Sequence, residues 1–184
     1  MGPILSEAAV EPPQYPAGPD VPVECPAPER RSELIAEIEQ APARLRQAVA
    51  GLSDAQLDTR YKNWTIRQIV HHLADSHVNA YVRFKLALTE AVPTIKPYEE
   101  GRWVDLDDER LGDVAVPLAL LDGLHAGWVR LLRSMTDGQF ARTYFHPEAG
   151  VTVALSAALG SYAWHGRHHT AQILWLRQGR GWGR

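Results

Sequence analysis

A single cysteine, Cys25, is all that this chain of 184 residues contains. No intrachain disulfide can therefore form, and no cysteine cluster competes with other side chains for metal, which fits a reducing compartment. Charge of one sign is not gathered into blocks: the arginines are spread along the chain, the formal net charge is -3 and the pI is near 6.2. Such a balance gives no general attraction to nucleic acid or to an anionic membrane, and neither is expected as a partner. Long apolar runs are also lacking, so no membrane span is expected. The N-terminus MGPILSEAAVEPPQYPAGPDVPVE has neither a basic n-region nor an apolar h-region, so it does not read as a secretory signal. Gly2 with Ser6 matches the N-myristoylation pattern, but with Pro3 beside the acceptor glycine the match is taken as chance. Asn63-Trp64-Thr65 matches the glycosylation triplet, which carries no meaning in a protein that is not exported. The expected location is the cytoplasm.

What is present is enough for one domain with a proper core, since 45% of the residues are hydrophobic. Eight of the thirteen prolines lie between Pro3 and Pro28. They remove backbone donors and fix φ, so residues 1–28 should form an extended arm, partly disordered or laid along a domain of residues 29–184. From about Ser32 to Gly51 the positions Leu34, Ile35, Ile38, Leu45 and Val49 recur at helical spacing, with Pro42 expected to kink the helix. Ser53 with Gln56 and Thr65 with Gln68 fit the capping box, in which hydroxyl and amide satisfy each other's free backbone N–H. The second box opens a helix that should run to about Ala91 and stop before Pro93. Residues 93–116 have no sustained period and read as a long loop. A third helix is expected from Pro117 to Met135, a small hairpin around residues 147–150, and a fourth helix from Ser156 to Gln178 with Gly179 as its C′ residue. Four long helices without repeats indicate an all-α fold, a four-helix bundle preceded by a proline-rich arm.

Histidines give this scaffold its chemistry. His165 and His169 stand four apart, and residues so spaced on a helix have Cβ atoms roughly 5–6 Å apart, near enough for two imidazoles to grip one transition metal. At 100° per residue the second helix aligns Gln68, His72, Ser76, Asn79 and Arg83 within about 40° of one line, and the fourth aligns Ser161, His165, His169 and Gln172 beside Tyr162. Either stripe alone could be a solvated face; two stripes that both contain histidine can build a metal site in a bundle core. Two imidazoles from one helix and one from the other would leave a coordination position open, the mark of a catalytic site. Gly166 stands where a zincin has its glutamate, so a peptidase site of that type is excluded. His71 and His168 neighbour the better-aligned histidines and could replace them, although His71 points about 100° off its stripe and His168 reads better as a lining residue or proton carrier. His77, His125 and His146 have no partner at ligand spacing and are expected in structural or surface roles. Asp75 is either a solvated residue, a carboxylate that orients a ligand imidazole, or a base near the metal.

At WTIRQIVHHLADSHVNAYVRFKLALTE and SYAWHGRHHTAQI the chain resembles the DinB/YfiT-like metalloenzyme superfamily, and within it the YfiT branch. The resemblance takes in the PAxLxxAV segment of the first helix, LDTxY before the second, and the IKPYEE stretch of the loop. It implies a four-helix bundle, often a homodimer, that carries one divalent metal per subunit, typically zinc or nickel, on three histidines. By motif position the ligands would be His72, His165 and His169. It also implies a small-molecule substrate and either of two activities: metal-dependent hydrolysis through a metal-bound water, or thiol S-transfer with bacillithiol or a similar low-molecular-weight thiol as cosubstrate, bound as the thiolate. Hydrolysis is the first expectation and thiol transfer the second; a metal-binding bundle without turnover and a purely structural bundle are the remaining ones. Arg83 and Asn79 would hold an anionic substrate or thiol, and Tyr162 or His168 would carry a proton.

Overall fold

A computed structural model describes residues 11–21 and 26–183. Cys25 and the Gly2/Ser6 pair lie outside the described residues. Four long helices, α1 (Pro28–Val49), α3 (Ile66–Thr89), α6 (Ala115–Ser134) and α8 (Leu155–Gly179), form the bundle. Shorter elements join them: α2 (Asp54–Leu57), a two-residue hairpin of β1 (Arg60–Tyr61) and β2 (Trp64–Thr65), α4 (Glu100–Trp103), α5 (Asp107–Leu111), α7 (Asp137–Phe140), and a hairpin of β3 (Thr143–His146) and β4 (Val151–Ala154). α1 packs against α6 and α8, and α3 packs against the same two, so α1 and α3 stand on one diagonal of the bundle.

Local chemistry explains the element ends. Both expected capping boxes are formed, Ser53 with Gln56 before α2 and Thr65 with Gln68 before α3, each satisfying donors that a helix N-terminus leaves free. α1 begins at Pro28, not near Ser32, because proline at the first helical position lacks only an N–H that would have had no partner there. α8 runs one residue past its expected end. Gly179 is its last helical residue, and Gly181, with φ at 64°, takes the left-handed position of a Schellman ending: Gly181 N–H donates to the Gln178 carbonyl at 3.2 Å and Trp182 N–H to that of Arg177 at 2.9 Å.

Two further expectations are corrected. The stretch 93–116 is an ordered wall that carries α4 and α5, not an element-free loop: Gln68 Nε2 donates to the Val104 carbonyl at 2.7 Å, and backbone bonds tie Ile95 and Phe145 together on the other side. The hairpin β1–β2, turning through Lys62 at φ 53°, precedes α3 where no strand was expected. α6 is long and apolar enough to cross a bilayer by length and composition, with a mean hydropathy of 1.2, yet in this structure it is a bundle helix whose Leu118, Leu121, Trp128 and Leu132 face the core.

The core is divided. One apolar cluster gathers Leu34, Ile38, Phe84, Trp128, Leu155 and Leu159; the other gathers Leu45, Val49, Ile66, Ile69, Leu121 and Ile173. Along each long helix the residues between these clusters occupy the middle of the bundle. On α3, α6 and α8 that middle layer contains histidine, His77, His125, and His165 and His169, and His72 stands beside it on α3. The described part of the N-terminal arm runs beside it, held where Tyr61 Oη donates to the Pro13 carbonyl at 2.5 Å and Trp164 Nε1 to that of Gly18 at 2.9 Å.

Candidate metal centre

The capping box at Thr65 fixes where α3 begins and so sets the height at which His72 enters the bundle; α8 brings His165 and His169 one turn apart to meet it. Nε2 of His165 lies 3.2 Å from Nε2 of His72 and 3.2 Å from Nε2 of His169. Ligand atoms of all three lie within 4.8 Å of one another. Burial pushes His72 down to about 4. It holds His165 and His169 well below the ordinary imidazole range too, reinforced by their histidine neighbours. All three are therefore neutral near pH 7, the form that ligates a metal.

Whether the donors fit an ion can be judged from their hydrogen bonds. Gln172 gives its Nε2–H to His168 Nε2 at 3.0 Å, so its Oε1 accepts from His169 Nδ1–H at 2.8 Å. A neutral His169 then presents a bare lone pair at Nε2, facing the other two imidazoles. A divalent cation is the natural occupant of such a cluster. Tetrahedral zinc, with Zn–N of about 2.0–2.1 Å, separates its nitrogen ligands by roughly 3.3–3.4 Å, close to the two 3.2 Å spacings that His165 makes here.

Above the cluster opens a cavity of about 380 Å³ whose lining includes Trp64, Ser76, Arg83, Tyr98, Glu100 and His168. Tyr98 and Glu100 come from the 93–116 stretch, which thus forms one wall. Arg83 donates from Nη1 to Tyr162 Oη at 3.0 Å, and its Nε is buried without a partner. Burial raises the Tyr162 phenol, and Arg83 partly offsets the rise. His168 is stacked on Trp164 at 4.5 Å between ring centroids, and its Nδ1 has no partner.

The other candidate residues are placed less directly. Asn79 does not line the cavity; its Nδ2 donates to the Asp75 carbonyl at 2.9 Å, one turn back on α3. Asp75 hydrogen-bonds Glu109 of α5 instead of a ligand imidazole. His71 faces the α5 end, near Gly112 and Asp108. Of the three histidines expected in structural or surface roles, His146 lines the cavity, while His77 and His125 are buried and hydrogen-bonded to each other at 2.8 Å, with His77 Nε2 at 3.4 Å from His165 Nδ1. Their position among apolar residues, His77 between Leu73 and Ala80 and His125 between Leu121 and Trp128, was the available signal that they face the core.

A helical bundle that collects three neutral imidazoles from two of its helices at the floor of a cavity defines a class, the bundle metalloproteins. Within that class the sequence profile described as the DinB superfamily matches residues 37–173, and the chain belongs to this family. It is 48% identical over 170 residues to a Bacillus subtilis protein provisionally named metal-dependent hydrolase YfiT, covering 91% of this chain and 96% of that one. A relative from Bacillus mycoides, provisionally named metal-dependent hydrolase as well, is 53% identical over 150 residues, or 80% of this chain and 86% of its own. The solved structure of Bacillus subtilis YfiT, described as having an unusual four-helix bundle topology, superposes with a TM-score of 0.89 at 47% identity and covers 92% of this chain and 98% of that one.

Proposed function

We propose that the protein is a divalent-metal-dependent hydrolase of small molecules that carry an anionic group, with the metal held by His72, His165 and His169. The observation that supports this most is the convergence of three imidazole Nε2 atoms at the floor of a cavity of about 380 Å³, large enough for a small substrate. An ion on three imidazoles supplies Lewis acidity and acidifies a water or a thiol at its open position, and zinc is the first candidate, nickel the second. Arg83 anchors the substrate's anionic group, because it lines the cavity and its hydrogen-bond partners, Tyr162 and Tyr144, are phenols, not carboxylates. His168 holds a proton at Nδ1, since its Nε2 accepts from Gln172, and is the donor for a leaving group. Trp64 and Tyr98 exclude water from the sides of the cavity.

The test is elemental analysis of untagged protein beside a His165→Ala/His169→Ala variant, followed by turnover of carboxylate-bearing esters and amides, with and without a low-molecular-weight thiol. About one metal per chain, lost in the folded variant together with hydrolysis, is the expected result. Thiol-dependent turnover of an electrophile without any hydrolysis would replace this reading by thiol transfer. No metal after loading with zinc or nickel would sink both.

A further inference from the structure

His77 and His125 belong to a hydrogen-bonded row that crosses the whole bundle with one residue from each long helix: Ile38 of α1, His125 of α6, His77 of α3 and His165 of α8. His125 Nδ1 lies 2.6 Å from the Ile38 carbonyl oxygen, His125 Nε2 lies 2.8 Å from His77 Nδ1, and His77 Nε2 lies 3.4 Å from His165 Nδ1.

The carbonyl at the start of the row is free for a reason written in the sequence. In an α-helix the carbonyl of residue 38 accepts from the N–H of residue 42, but residue 42 is Pro42 and has none. The proline within α1 thus leaves Ile38 a buried carbonyl that needs a donor, and His125 supplies it. Trp128, fully buried, packs edge-on against both His77 and His125, at 5.9 and 5.8 Å between ring centroids, and keeps the row in place.

From this anchor the protons of the row follow one after another. A carbonyl only accepts, so His125 carries its proton on Nδ1. His77 and His125 are 1% and 2% exposed and are hydrogen-bonded only to imidazoles and a carbonyl, so no carboxylate supports a buried imidazolium and both rings are neutral. A neutral His125 with Nδ1–H can only accept at Nε2, so His77 donates from Nδ1. Its Nε2 then accepts, so His165 donates from Nδ1. What remains on His165 is a bare Nε2, the atom that faces His72 and His169.

We propose that Ile38, His125 and His77 form a positioning row that locks His165 in its ligating tautomer and so strengthens metal binding. This inference rests on the three-histidine metal reading above. His169 is held in the same tautomer by Gln172 alone, close to the cavity; His165 is held from the far side of the bundle, so the integrity of all four helices is coupled to one ligand.

Nitrogen-15 shifts of the imidazoles in the folded, metal-free wild type test the tautomer without any substitution. His165 protonated at Nδ1 and bare at Nε2 is expected; the opposite tautomer would overturn the proposal. Zinc affinity by competition with a chelator tests the consequence. His125→Phe, which can neither donate to Ile38 nor accept from His77, should bind zinc roughly 10- to 100-fold more weakly. His125→Gln, whose amide can do both, should recover to within a few-fold. A folded His125→Phe with wild-type affinity, or a Gln variant no better than Phe, would sink the inference. If the Phe variant does not fold, the wild-type nitrogen shifts decide alone. Failure of the metal reading itself is distinguishable, since there the wild type binds no zinc.

Discussion

Arg83 brings an unpartnered donor to the cavity, since its Nε is buried without a hydrogen bond. Its guanidinium has five donors; its side-chain hydrogen bonds go to the phenols of Tyr162 and Tyr144, and among the described residues no carboxylate lies in ion-pair range. A hydrogen bond to a charged group contributes about 1.5–3 kcal/mol, or roughly 10- to 150-fold in a rate or binding ratio. Arg83→Gln should therefore lower kcat/KM by about that factor for a carboxylate-bearing ester and change it little for the neutral analogue, with metal content unaltered. Equal losses on both substrates would show that Arg83 holds the fold of the cavity and not the anion. At this scale the three histidines that converge were legible, because two fall at i and i+4 on one helix and the third stands on a polar stripe. Asp75 and Asn79 lay on or beside that stripe too, but spacing cannot reveal that one is drawn off by Glu109 and the other turns back to its own helix.

Among the elements, the four long helices were legible from their apolar period and their caps, while α4 and α5 were not. Helices of four and five residues have no periodicity to read, and neither has a capping side chain. They exist because residues far away in sequence hold them. Arg67, 5% exposed on α3, donates to Asp58 and Asp54 around α2 and to the Gly112 carbonyl that ends α5. Gly112 itself is required there: a Cβ would come within 2.0 Å of the Asp108 carbonyl oxygen. Asp54 and Asp58 are largely exposed, so their ion pairs with Arg67 are screened and contribute little. The bond to Gly112 and the packing of the buried side chain carry the larger share. Arg67→Ala should cost about 1–3 kcal/mol, read as a lower urea midpoint with an unchanged slope, and should speed proteolysis within residues 104–112. Glu109 makes the same joint sensitive to pH. Burial and the hydrogen bond and charge of Asp75 push it up to about 8, so the folded state binds a proton that the unfolded chain gives up near pH 4. A carboxyl raised in this way contributes stability that is full below the unfolded value and lost as pH rises through about 8. Glu109→Gln should leave the melting temperature unchanged at pH 5 and raise it above wild type at pH 8.5. Coincident curves at both pH values would mean that the pair does not share a proton.

Across the whole molecule the opposite pH dependence comes from the histidine layer. Five imidazoles on three helices, four of them buried, lie at or beside the junction of the two apolar clusters, and each is held below its ordinary range chiefly by burial, His72 down to about 4. The unfolded chain binds protons at these sites near pH 6.5, before the folded protein does, so the unfolded state holds more protons in this window. Stability is then present above pH 6.5 and is lost as pH falls toward 4. Joined to the alkaline limb from Glu109, this gives a dome with its maximum between the two limbs. A metal sharpens the acid side, because an ion that binds only the folded state stabilises it by mass action, and protons on the same three nitrogens expel it. Melting curves of zinc-loaded and metal-free protein should therefore be furthest apart above pH 6.5 and should merge as pH approaches 4. A His72→Gln variant should shift little with zinc and lose less stability on acidification, because it removes a ligand and an acid-sensitive imidazole in one change. Zinc-loaded and metal-free curves that stay parallel down to pH 4 would place the ion somewhere other than on these histidines.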